Sequence, residues 1–445
     1  MENGKYNKLR WIALVCLVVP MFASYFFDDM FSSVSHLFGH PESLALGWDS
    51  RDLGNFIGDY SLLCVCGGLI VGGILLDIFG VRIMGSVFMG MMFVGGAMAW
   101  YGVGGGLPKE SAIAVGRIGR MMFGLGSEIA GVAVTRSIAK WFKGDHMSLA
   151  MSLHLAIARA GTAVALIAAP FIVGVPKDFY PVADTARPAL VGLFLLLAGI
   201  AVWTLFVGMD RSYDKSMGIS FKRGEVGEEE KFSFRDITSL LKNPRFLMIG
   251  LLCVTFYCCV SSFKKFGTAV VIPRFSLEAG SAGTMVAMIP FFTIIFTPLF
   301  GALVDRMGHA TKWMILGSTA VLTGHLILAF APLGAQFFGY AGIALLGLGY
   351  SLVPSAMWSS VPKIVPDKSL GTAYSLIYWI QNVGLFFVPK IVGRILAADP
   401  GLDGVARVEW VFIVLGCCAI ALALSLVRSS ARHPELGLDQ AGKKQ

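Results

Sequence analysis

The chain alternates between long apolar stretches and short polar connections. A helix that crosses a bilayer needs about 20 mostly apolar residues, and about twelve stretches meet this requirement. We predict membrane-spanning helices over residues 10–33, 54–77, 82–104, 109–140, 146–174, 187–209, 245–272, 280–304, 312–331, 335–361, 370–397 and 407–428. The pattern therefore predicts an all-α membrane protein.

The longest polar run lies near the middle of the chain, between residues 210 and 243, with half of the predicted spans on either side. It is typical of a charged linker between two halves. We predict an N-terminal six-helix half over residues 1–210, a cytoplasmic linker over 211–243, a C-terminal six-helix half over 244–430 and a cytoplasmic tail over 431–445.

Composition agrees with a membrane protein and bears on its orientation. Hydrophobic residues make up 56% of the 445 residues and charged residues 14%, whereas a soluble domain carries about 25% charged residues. The loops on the side of both termini and the linker hold most of the Lys and Arg, which predicts that this side is cytoplasmic. The net charge of +8 therefore requires no nucleic-acid partner. Short loops and the absence of Asn-x-Ser/Thr sequons favour a bacterial cell (inner) membrane.

The two halves repeat a short loop of the form G-x-L-x-D-x-x-G. The first copy lies within Gly72–Arg82 and the second within Phe300–Lys312. A weaker match relates the fifth span, around Arg159, to the eleventh, around Asn382. Glycines allow helices to approach closely, and the aspartate can face the N-terminus of a neighbouring helix. Two related six-span halves are typical of one large class of transporters.

The duplicated loop resembles the signature loop of the major facilitator superfamily, which implies the major facilitator fold of twelve transmembrane helices in two pseudo-symmetric six-helix halves. In that family the loop latches one conformation. The resemblance therefore implies a gating role for Gly73, Asp77, Gly80, Arg82 and Asp305. The second copy departs from the first, because His309 stands where the first has Val81 and no arginine corresponds to Arg82.

Three stretches narrow the resemblance further: Gly119–Gly144, Ser152–Val164 and Leu346–Leu385. They contain G-R-x-x-F-G-x-G-x-E ending in W-F-K-G, then A-R-x-G, and later L-G-T-A-Y with I-Q-N-x-G. Together they are similar to the lysosomal dipeptide transporter branch of the superfamily. The resemblance implies a uniport-like transport of dipeptides by alternating access. It also implies an association with an accessory single-span membrane protein, although we expect the chain itself to be a monomer in the lipid bilayer.

Glu128 is a carboxylate inside an apolar, glycine-rich span, where an ionised group costs about 2.5–3.5 kcal/mol. It must therefore face a cavity or a partner. Arg159, near the middle of the next span, is the natural counterpart. One interpretation is an internal ion pair that holds the first half together. The other is a clamp for a zwitterion, in which the resemblance places the substrate's amino end on Glu128 and its carboxyl end on Arg159; an arginine can bind a carboxylate bidentately.

Further candidates lie near the outer end of the first two spans. Asp29 matches the family's aspartate in span 1, and Asp28 is additional. Either Asp29 ends the span in solvent, or it serves as an outer gate or a ligand for a cationic side chain. Tyr60 in span 2 is a weaker candidate for the wall of the substrate site, with ordinary aromatic packing as the alternative.

The second half supplies candidates in three spans. Lys264 and Lys265 in span 7 favour an anionic group, although adjacent positions point about 100° apart and only one can face a cavity squarely. In span 11, Tyr378, Gln381 and Asn382 share one helix face, either as polar contacts between helices or as cavity lining. Trp358 in span 10 forms an apolar wall or packs as a core aromatic residue.

The sequence contains no plausible set of catalytic residues, no metal-ligand pattern and no G-x-x-x-x-G-K-[ST] loop for a nucleotide. We therefore expect a protein that is not an enzyme and needs no cofactor. Two alternatives stay open beside dipeptide uniport. The first is a proton-coupled symporter of organic anions or sugars, in which Glu128 or Asp29 carries the proton and Arg159 binds the anion together with a lysine of span 7. The second is a sensor or accessory subunit that transports nothing.

Overall fold

The computed structural model describes residues 2–38, 47–104, 106–142, 146–173, 186–217, 234–366, 369–434 and 437–440. Every regular element within these residues is helical. In chain order the helices are α1 (Glu2–Ser33), α2 (Ser50–Asp59), α3 (Leu69–Phe79), α4 (Val81–Val103), α5 (Lys109–Trp141), α6 (Met147–Val173), α7 (Arg187–Met217), α8 (Phe234–Lys242), α9 (Pro244–Tyr257), α10 (Phe263–Phe275), α11 (Ala279–Met307), α12 (Ala310–Phe330), α13 (Gln336–Trp358), α14 (Val361–Ile364), α15 (Leu370–Ala398) and α16 (Leu402–Arg432).

Eleven helical segments of the described chain are long and apolar enough to cross a membrane. They correspond to eleven of the predicted spans. The remaining prediction, residues 109–140, coincides with α5, a helix of 33 residues. Arg117, Arg120, Glu128 and several glycines lower the hydropathy of α5, so composition alone does not mark it as a span. Among the predicted spans, the one that does not meet the hydropathy requirement is thus the one that carries Glu128.

Part of the predicted linker lies outside the described residues, namely residues 218–233. Before it, α7 continues to Met217. After it, the short helix α8 (Phe234–Lys242) leads to Asn243, whose side chain accepts hydrogen bonds from the amides of Arg245 and Phe246 at the start of α9. The predicted tail is described over residues 431–434 and 437–440. The linker boundaries stay a prediction.

The chain forms two compact units. The first contains the described parts of residues 1–31, 41–47 and 59–225, and the second those of residues 32–40, 48–58 and 226–445. Most of α1 and all of α3–α7 therefore belong to the first unit, whereas nearly all of α2 and α8–α16 belong to the second.

Close glycine contacts hold α4 against α5 in the first unit. A side chain at Gly95 or Gly126 would collide with the backbone of the other helix, as would one at Gly119. Small residues of this kind let two membrane helices approach until their main chains touch. The same unit buries Trp203 of α7, whose indole N–H donates to the Ser86 hydroxyl of α4 at 2.9 Å.

In the second unit, α12 packs along α13 and α16. Gly317 and Gly324 of α12 lie against α13 so closely that an added Cβ would have to displace a neighbour. His325 of α12 lies 2.8 Å from Glu409 of α16, and both side chains are fully buried. The short helix α2 packs on α15 in the same way, since Gly54 meets the backbone of Gly393.

Two predicted spans are not continuous α-helices. The second is interrupted between α2 and α3, where residues 64–68 form a wider helical turn and Gly67 has a φ of +96°. A positive φ of this size favours glycine, because other residues are strained there. The seventh is interrupted between α9 and α10 by a wider turn over Cys258–Ser262. Wide turns of this type are frequent at functional sites.

Candidate functional site

Glu128 lies in the middle of α5 and is half-buried. The Tyr60 hydroxyl is 3.0 Å from Glu128 Oε1, as a hydrogen-bond donor, and 3.3 Å from Ser127 Oγ. Ser127 Oγ lies 2.6 Å from Ser24 Oγ of α1. A hydrogen-bonded row of polar side chains thus extends from α1 across α5 to the turn after α2, within the first unit. Tyr60, predicted as a weaker candidate for the wall of the substrate site, therefore contacts Glu128 through its hydroxyl.

No basic residue forms an ion pair with Glu128 in the part of the chain that the structure describes. The internal Glu128–Arg159 ion pair, one of the two interpretations of the sequence, is therefore not formed in this conformation. A half-buried carboxylate with a single hydroxyl donor is incompletely compensated. It is able to receive an additional donor or cation.

Gly124 explains how Tyr60 comes so close to α5. It lies one turn before Glu128, and an added Cβ would overlap the carbonyl oxygen of Tyr60. The main chain of Tyr60 therefore rests directly on the surface of α5. Because Tyr60 follows the end of α2 at Asp59, its backbone is a turn rather than a regular helix, and its position depends on this contact.

Arg120 lies two turns before Glu128 on α5 and is fully buried. Its Nη2 group donates to the Asp28 carboxylate of α1 and approaches the Asp28 carbonyl oxygen at 3.5 Å. The guanidinium carbon lies 5.1 Å from the centre of the Tyr60 ring, 5.6 Å from that of Phe123 and 5.8 Å from that of Phe31. A cation against the faces of aromatic rings is attracted by their electron density.

Asp29 is buried, with 1% of its surface exposed. The Thr162 hydroxyl of α6 donates to Asp29 Oδ2 at 2.6 Å. The alternative in which Asp29 ends the first span in solvent is therefore wrong. Asp28 and Asp29 instead make different contacts, the former with α5 and the latter with α6.

Arg159 is half-buried on α6. Its helix packs on α1 through Gly161, which meets the carbonyl oxygen of Phe22. Because Ser24 of the same turn of α1 contacts Ser127, the segments that carry Glu128 and Arg159 rest on one turn of α1. With a rise of about 1.5 Å per residue, this packing brings the two residues to within about one turn of each other along α1.

The second unit brings some of the remaining candidates together. Trp358 at the end of α13 stacks on Tyr378 of α15, with ring centres 4.9 Å apart. Its indole N–H donates to the Tyr257 hydroxyl at 3.2 Å, and the Tyr374 ring lies 5.8 Å away. Trp358 and Tyr378 thus belong to one aromatic group. Tyr378 is 45% exposed, so this group is not sealed in the core.

Gln381 and Asn382 face different neighbours although they are adjacent. The Cys253 thiol of α9 donates to Gln381 Oε1 at 3.5 Å. The buried Asn382 amide donates to the Tyr378 carbonyl oxygen of its own helix at 3.0 Å. Lys264 and Lys265 are both half-buried at the start of α10. Gln381 and Asn382 thus make contacts other than the ring stacking of Trp358 on Tyr378.

The first copy of the duplicated loop is held by two sets of ion pairs. Asp77 binds Arg136 of α5. Arg82 lies 3.0 Å from Asp214 of α7, and Lys140 lies 2.8 Å from Asp210. Gly80 has a φ of +82° between α3 and α4, a value that suits glycine. Gly73, by contrast, has open space around its α-carbon.

The second copy is built differently. Asp305 is exposed at the end of α11. The C-terminal segment 437–440 lies beside it, where Asp439 accepts hydrogen bonds from the Thr311 amide and hydroxyl at 2.9 and 2.8 Å. The Ser430 hydroxyl also donates to Asp439. Lys363 donates to the carbonyl oxygens of Leu438 and Gln440. The tail thus supplies contacts in the half whose loop has no arginine at the position of Arg82.

Arg120, Ser127 and Thr162 are contact residues around this site that were not predicted from the sequence. A signal for Arg120 was present, since it is a second arginine within the same apolar stretch as Glu128, three residues after Arg117. Arg117 forms an ion pair with Asp59 at 2.5 Å. Nothing in the sequence distinguishes the two arginines, because the partners of both lie 58 to 92 residues away.

Within the described residues every regular element is helical and eleven segments are able to cross a membrane, so the protein is an integral, multi-pass membrane protein. The chain belongs to the Major Facilitator Superfamily, whose family model matches residues 17–389 and 259–443. It is therefore a membrane transporter and not an enzyme.

Similar proteins agree with this assignment. The lysosomal dipeptide transporter MFSD1 of Mus musculus is 29% identical over 330 residues, which is 73% of this chain and 68% of the relative. MFSD1 of Danio rerio is 28% identical over 378 residues, or 83% of this chain and 77% of the relative. The MFS-type transporter SLC18B1 of Rattus norvegicus is 23% identical over 414 residues, which is 88% of this chain and 84% of the relative.

Solved structures confirm the fold. A mutant of the nucleoside transporter NupG superposes with a TM-score of 0.69 at 13% identity, over 94% of this chain and 99% of that one. A mutant of the peptide transporter POT superposes with a TM-score of 0.64 at 15% identity, over 93% of this chain and 95% of that one. The predicted major facilitator fold is thereby confirmed.

Proposed function

We propose that this transporter moves dipeptides or similar small zwitterions by alternating access in a uniport-like manner. The observation that carries the proposal is the Glu128 carboxylate, which is half-buried, has the Tyr60 hydroxyl as a hydrogen-bond donor and forms no ion pair with a described residue. The similarity to MFSD1, named a dipeptide transporter, supports the choice of substrate class.

The substrate's ammonium group would bind Glu128, and its carboxylate would bind Arg159. A dipeptide carries these two charges at the ends of a short backbone. Both residues sit on helices that rest on the same turn of α1, which supports a common depth. The ammonium group of a substrate bound in this way would supply the opposite charge that Glu128 lacks. The charge-assisted hydrogen bond would then offset the cost of removing the Glu128 carboxylate from water.

The test is thermal unfolding of the purified protein with a panel of neutral dipeptides, single amino acids and organic anions. A ligand at 100 times its Kd raises the apparent stability by about 2.7 kcal/mol. We expect neutral dipeptides to stabilise the wild type, single amino acids to have little effect, and Glu128→Gln and Arg159→Ala to abolish the response. Stabilisation by organic anions or sugars alone would instead favour a proton-coupled symporter.

The gating residues are part of the same proposal. We propose that Asp77 with Arg136, and Arg82 with Asp214, hold the first loop in one conformation and release it in another. The exposed Asp305 would play a lesser part. Reaction of a cysteine placed beside Arg82 with a charged thiol reagent should therefore change when Asp77→Asn loosens the loop.

The outer aspartate and the second unit contribute further proposed contacts. Asp29 would attract cationic side chains, whereas Lys264 or Lys265 would favour anionic ones, and the aromatic pair Trp358–Tyr378 would accept apolar side chains. Dipeptides that differ only in the charge of one side chain separate these contributions. Lys264→Ala and Lys265→Ala should improve the affinity for a lysine-containing dipeptide relative to a glutamate-containing one.

We also propose that both termini face the cytoplasm of a cell membrane and that the chain works as a monomer. The Lys and Arg bias supports the orientation. Fusion of a reporter active only in the cytoplasm to the C-terminus tests it, and light scattering of the purified protein tests the monomer. A dipeptide response of the protein purified alone would make an accessory subunit unnecessary for substrate binding.

A further inference from the structure

Arg120 is the largest buried charged side chain of the described chain, and the proposed clamp does not use it. It is attached to α1 through the carboxylate and the carbonyl oxygen of Asp28. Its guanidinium group is enclosed by the rings of Phe31, Tyr60 and Phe123. Arginine is suited to such a site because its flat cation stacks on rings while its edge binds a carboxylate.

Tyr60 links this arginine to the proposed substrate site. Its ring is the one nearest to the guanidinium, at 5.1 Å, and its hydroxyl lies 3.0 Å from Glu128 Oε1. The backbone of Tyr60 is a turn between α2 and the wide helical turn at residues 64–68, so no regular helix fixes its side chain. Contacts of the ring are what hold the hydroxyl in place.

We propose that Arg120 is a positioning residue: anchored by Asp28, it holds the Tyr60 ring so that the Tyr60 hydroxyl orients the Glu128 carboxylate for the substrate's ammonium group. This inference rests on the proposed function and names the part of the site that recognises the free amino end. Arg120 itself does not touch the substrate. It acts on Glu128 through the Tyr60 ring and hydroxyl.

The test compares Kd values for Ala-Ala and for N-acetyl-Ala-Ala, which lacks the ammonium group. The Kd for N-acetyl-Ala-Ala divided by the Kd for Ala-Ala is the amino-end ratio. It reports recognition of the amino end alone, and a value near one means that the ammonium group is not recognised. Tyr60→Phe removes the hydroxyl and keeps the ring, whereas Arg120→Lys keeps the charge and removes the flat guanidinium. We expect each variant to reduce the ratio by about tenfold, since each loosens one hydrogen bond to a charged group.

A double variant decides whether Arg120 acts through Tyr60. If it does, the combination of Arg120→Lys with Tyr60→Phe should reduce the ratio no further than Tyr60→Phe alone, because residues that act in one chain are not additive. Arg117→Lys is the matched control on the same helix, one turn away and also ion-paired. Its ratio should equal that of the wild type.

Folding of the variants is checked by thermal unfolding without ligand. If Arg120→Lys does not yield folded protein, Asp28→Asn takes its place, because it weakens the anchor of Arg120 and keeps the size of the side chain; the same loss of ratio is expected. The positioning role would be overturned if Arg120→Lys or Asp28→Asn left the ratio of the two Kd values unchanged. It would also be overturned if the effects of Arg120→Lys and Tyr60→Phe on this ratio were fully additive in the double variant.

Failure of the proposed function gives a different result. If wild-type protein binds neither compound, or if Glu128→Gln leaves the ratio unchanged, the clamp is wrong and the role of Arg120 falls with it. The other outcome is that Glu128→Gln brings the ratio of the two Kd values to one while Arg120→Lys keeps the same ratio as Arg117→Lys. In that case the clamp stands and only the positioning role of Arg120 is wrong.

Discussion

At the scale of single residues, Gly124 marks the tightest contact beside the candidate site. A Cβ at this position would overlap the carbonyl oxygen of Tyr60, which is backbone and has little freedom to move. Gly131, two turns further along the same helix, is different, since its nearest neighbour is the Met21 sulfur at 3.9 Å. The two glycines look alike in sequence and differ only in what packs on them.

Gly124→Ala should lower the stability of the protein by about 1–3 kcal/mol, the usual cost of inserting a methyl group into a packed contact. Gly131→Ala should be neutral or stabilising, because alanine favours a helix by about 1 kcal/mol over glycine. Thermal unfolding in detergent compares the two. Equal unfolding temperatures of the two variants would show that α5 and Tyr60 are not in direct contact.

The buried pair of His325 and Glu409 also affects stability through single side chains. The His325 ring also stacks on Phe412, with ring centres 5.1 Å apart, and meets the edge of Phe263. Removing one member of a buried pair leaves the other without compensation, which costs about 3–5 kcal/mol, whereas removing both costs much less.

Glu409→Leu should therefore unfold at a clearly lower temperature than the double variant His325→Leu with Glu409→Leu. His154→Leu is the control, since His154 is buried too but forms no ion pair among the described residues. It should resemble the wild type more closely than Glu409→Leu does. A double variant less stable than either single variant would contradict the pairing.

At the scale of elements, the two loops of the repeat are stabilised by different means. The first is held by the ion pairs of α4 and α5 with α7, through Arg82 and Lys140. The second is held by the tail, where Asp439 binds Thr311 at the start of α12. Burial opposes ionisation of Asp439, but hydrogen bonds from Ser430 and Thr311 outweigh it and hold the pKa of this carboxyl below its ordinary value.

Asp439→Ala should release the tail and expose the amide of Thr311, which then exchanges its hydrogen faster. Hydrogen exchange of the peptide that contains residues 309–316 measures this loss, and an increase of about tenfold or more is expected for loss of a charged hydrogen bond. Asp403→Asn, at the start of α16, is the matched control. Unchanged exchange in Asp439→Ala would show that the tail does not cap α12.

The same contact predicts a pH dependence. A carboxyl whose pKa is lowered on folding contributes stability that is present above its ordinary pKa, here 3.8, and is lost as the pH falls through the lowered value. Protection of the 309–316 peptide, corrected for intrinsic exchange, should therefore be constant from about pH 8 to pH 5. Loss of protection near neutral pH would indicate that another group controls the tail.

At the scale of the whole molecule, the proposal concerns the coupling of transport to ions. A uniporter follows the substrate gradient alone, so uptake of a labelled dipeptide into proteoliposomes should be the same with and without a pH gradient. Unlabelled dipeptide inside the vesicles should accelerate uptake by exchange. Glu128→Gln liposomes are the control for leakage. Uptake that needs a pH gradient would replace uniport with proton-coupled symport.

Much of the fold could be predicted from the sequence, because the length of an apolar run decides whether it crosses a membrane. The segment 109–140 shows the limit, since its charges and glycines made it the span with the weakest apolar signal, yet α5 is a continuous helix. The interruption at Gly67 was not predicted. A Gly-Gly pair is tolerated in apolar helices, and only packing decides whether the helix continues through it.

Periodicity, spacing and resemblance were sufficient to predict the helical class, the duplicated loop, and Glu128 and Arg159 in neighbouring spans. Three contacts were seen only once the helices were packed: Tyr60 meets Glu128, rings enclose Arg120 rather than Arg117, and Asp439 binds Thr311. These contacts join residues 60 to 128 positions apart. Their formation depends on how helices pack, and the order of residues within one helix does not contain that information.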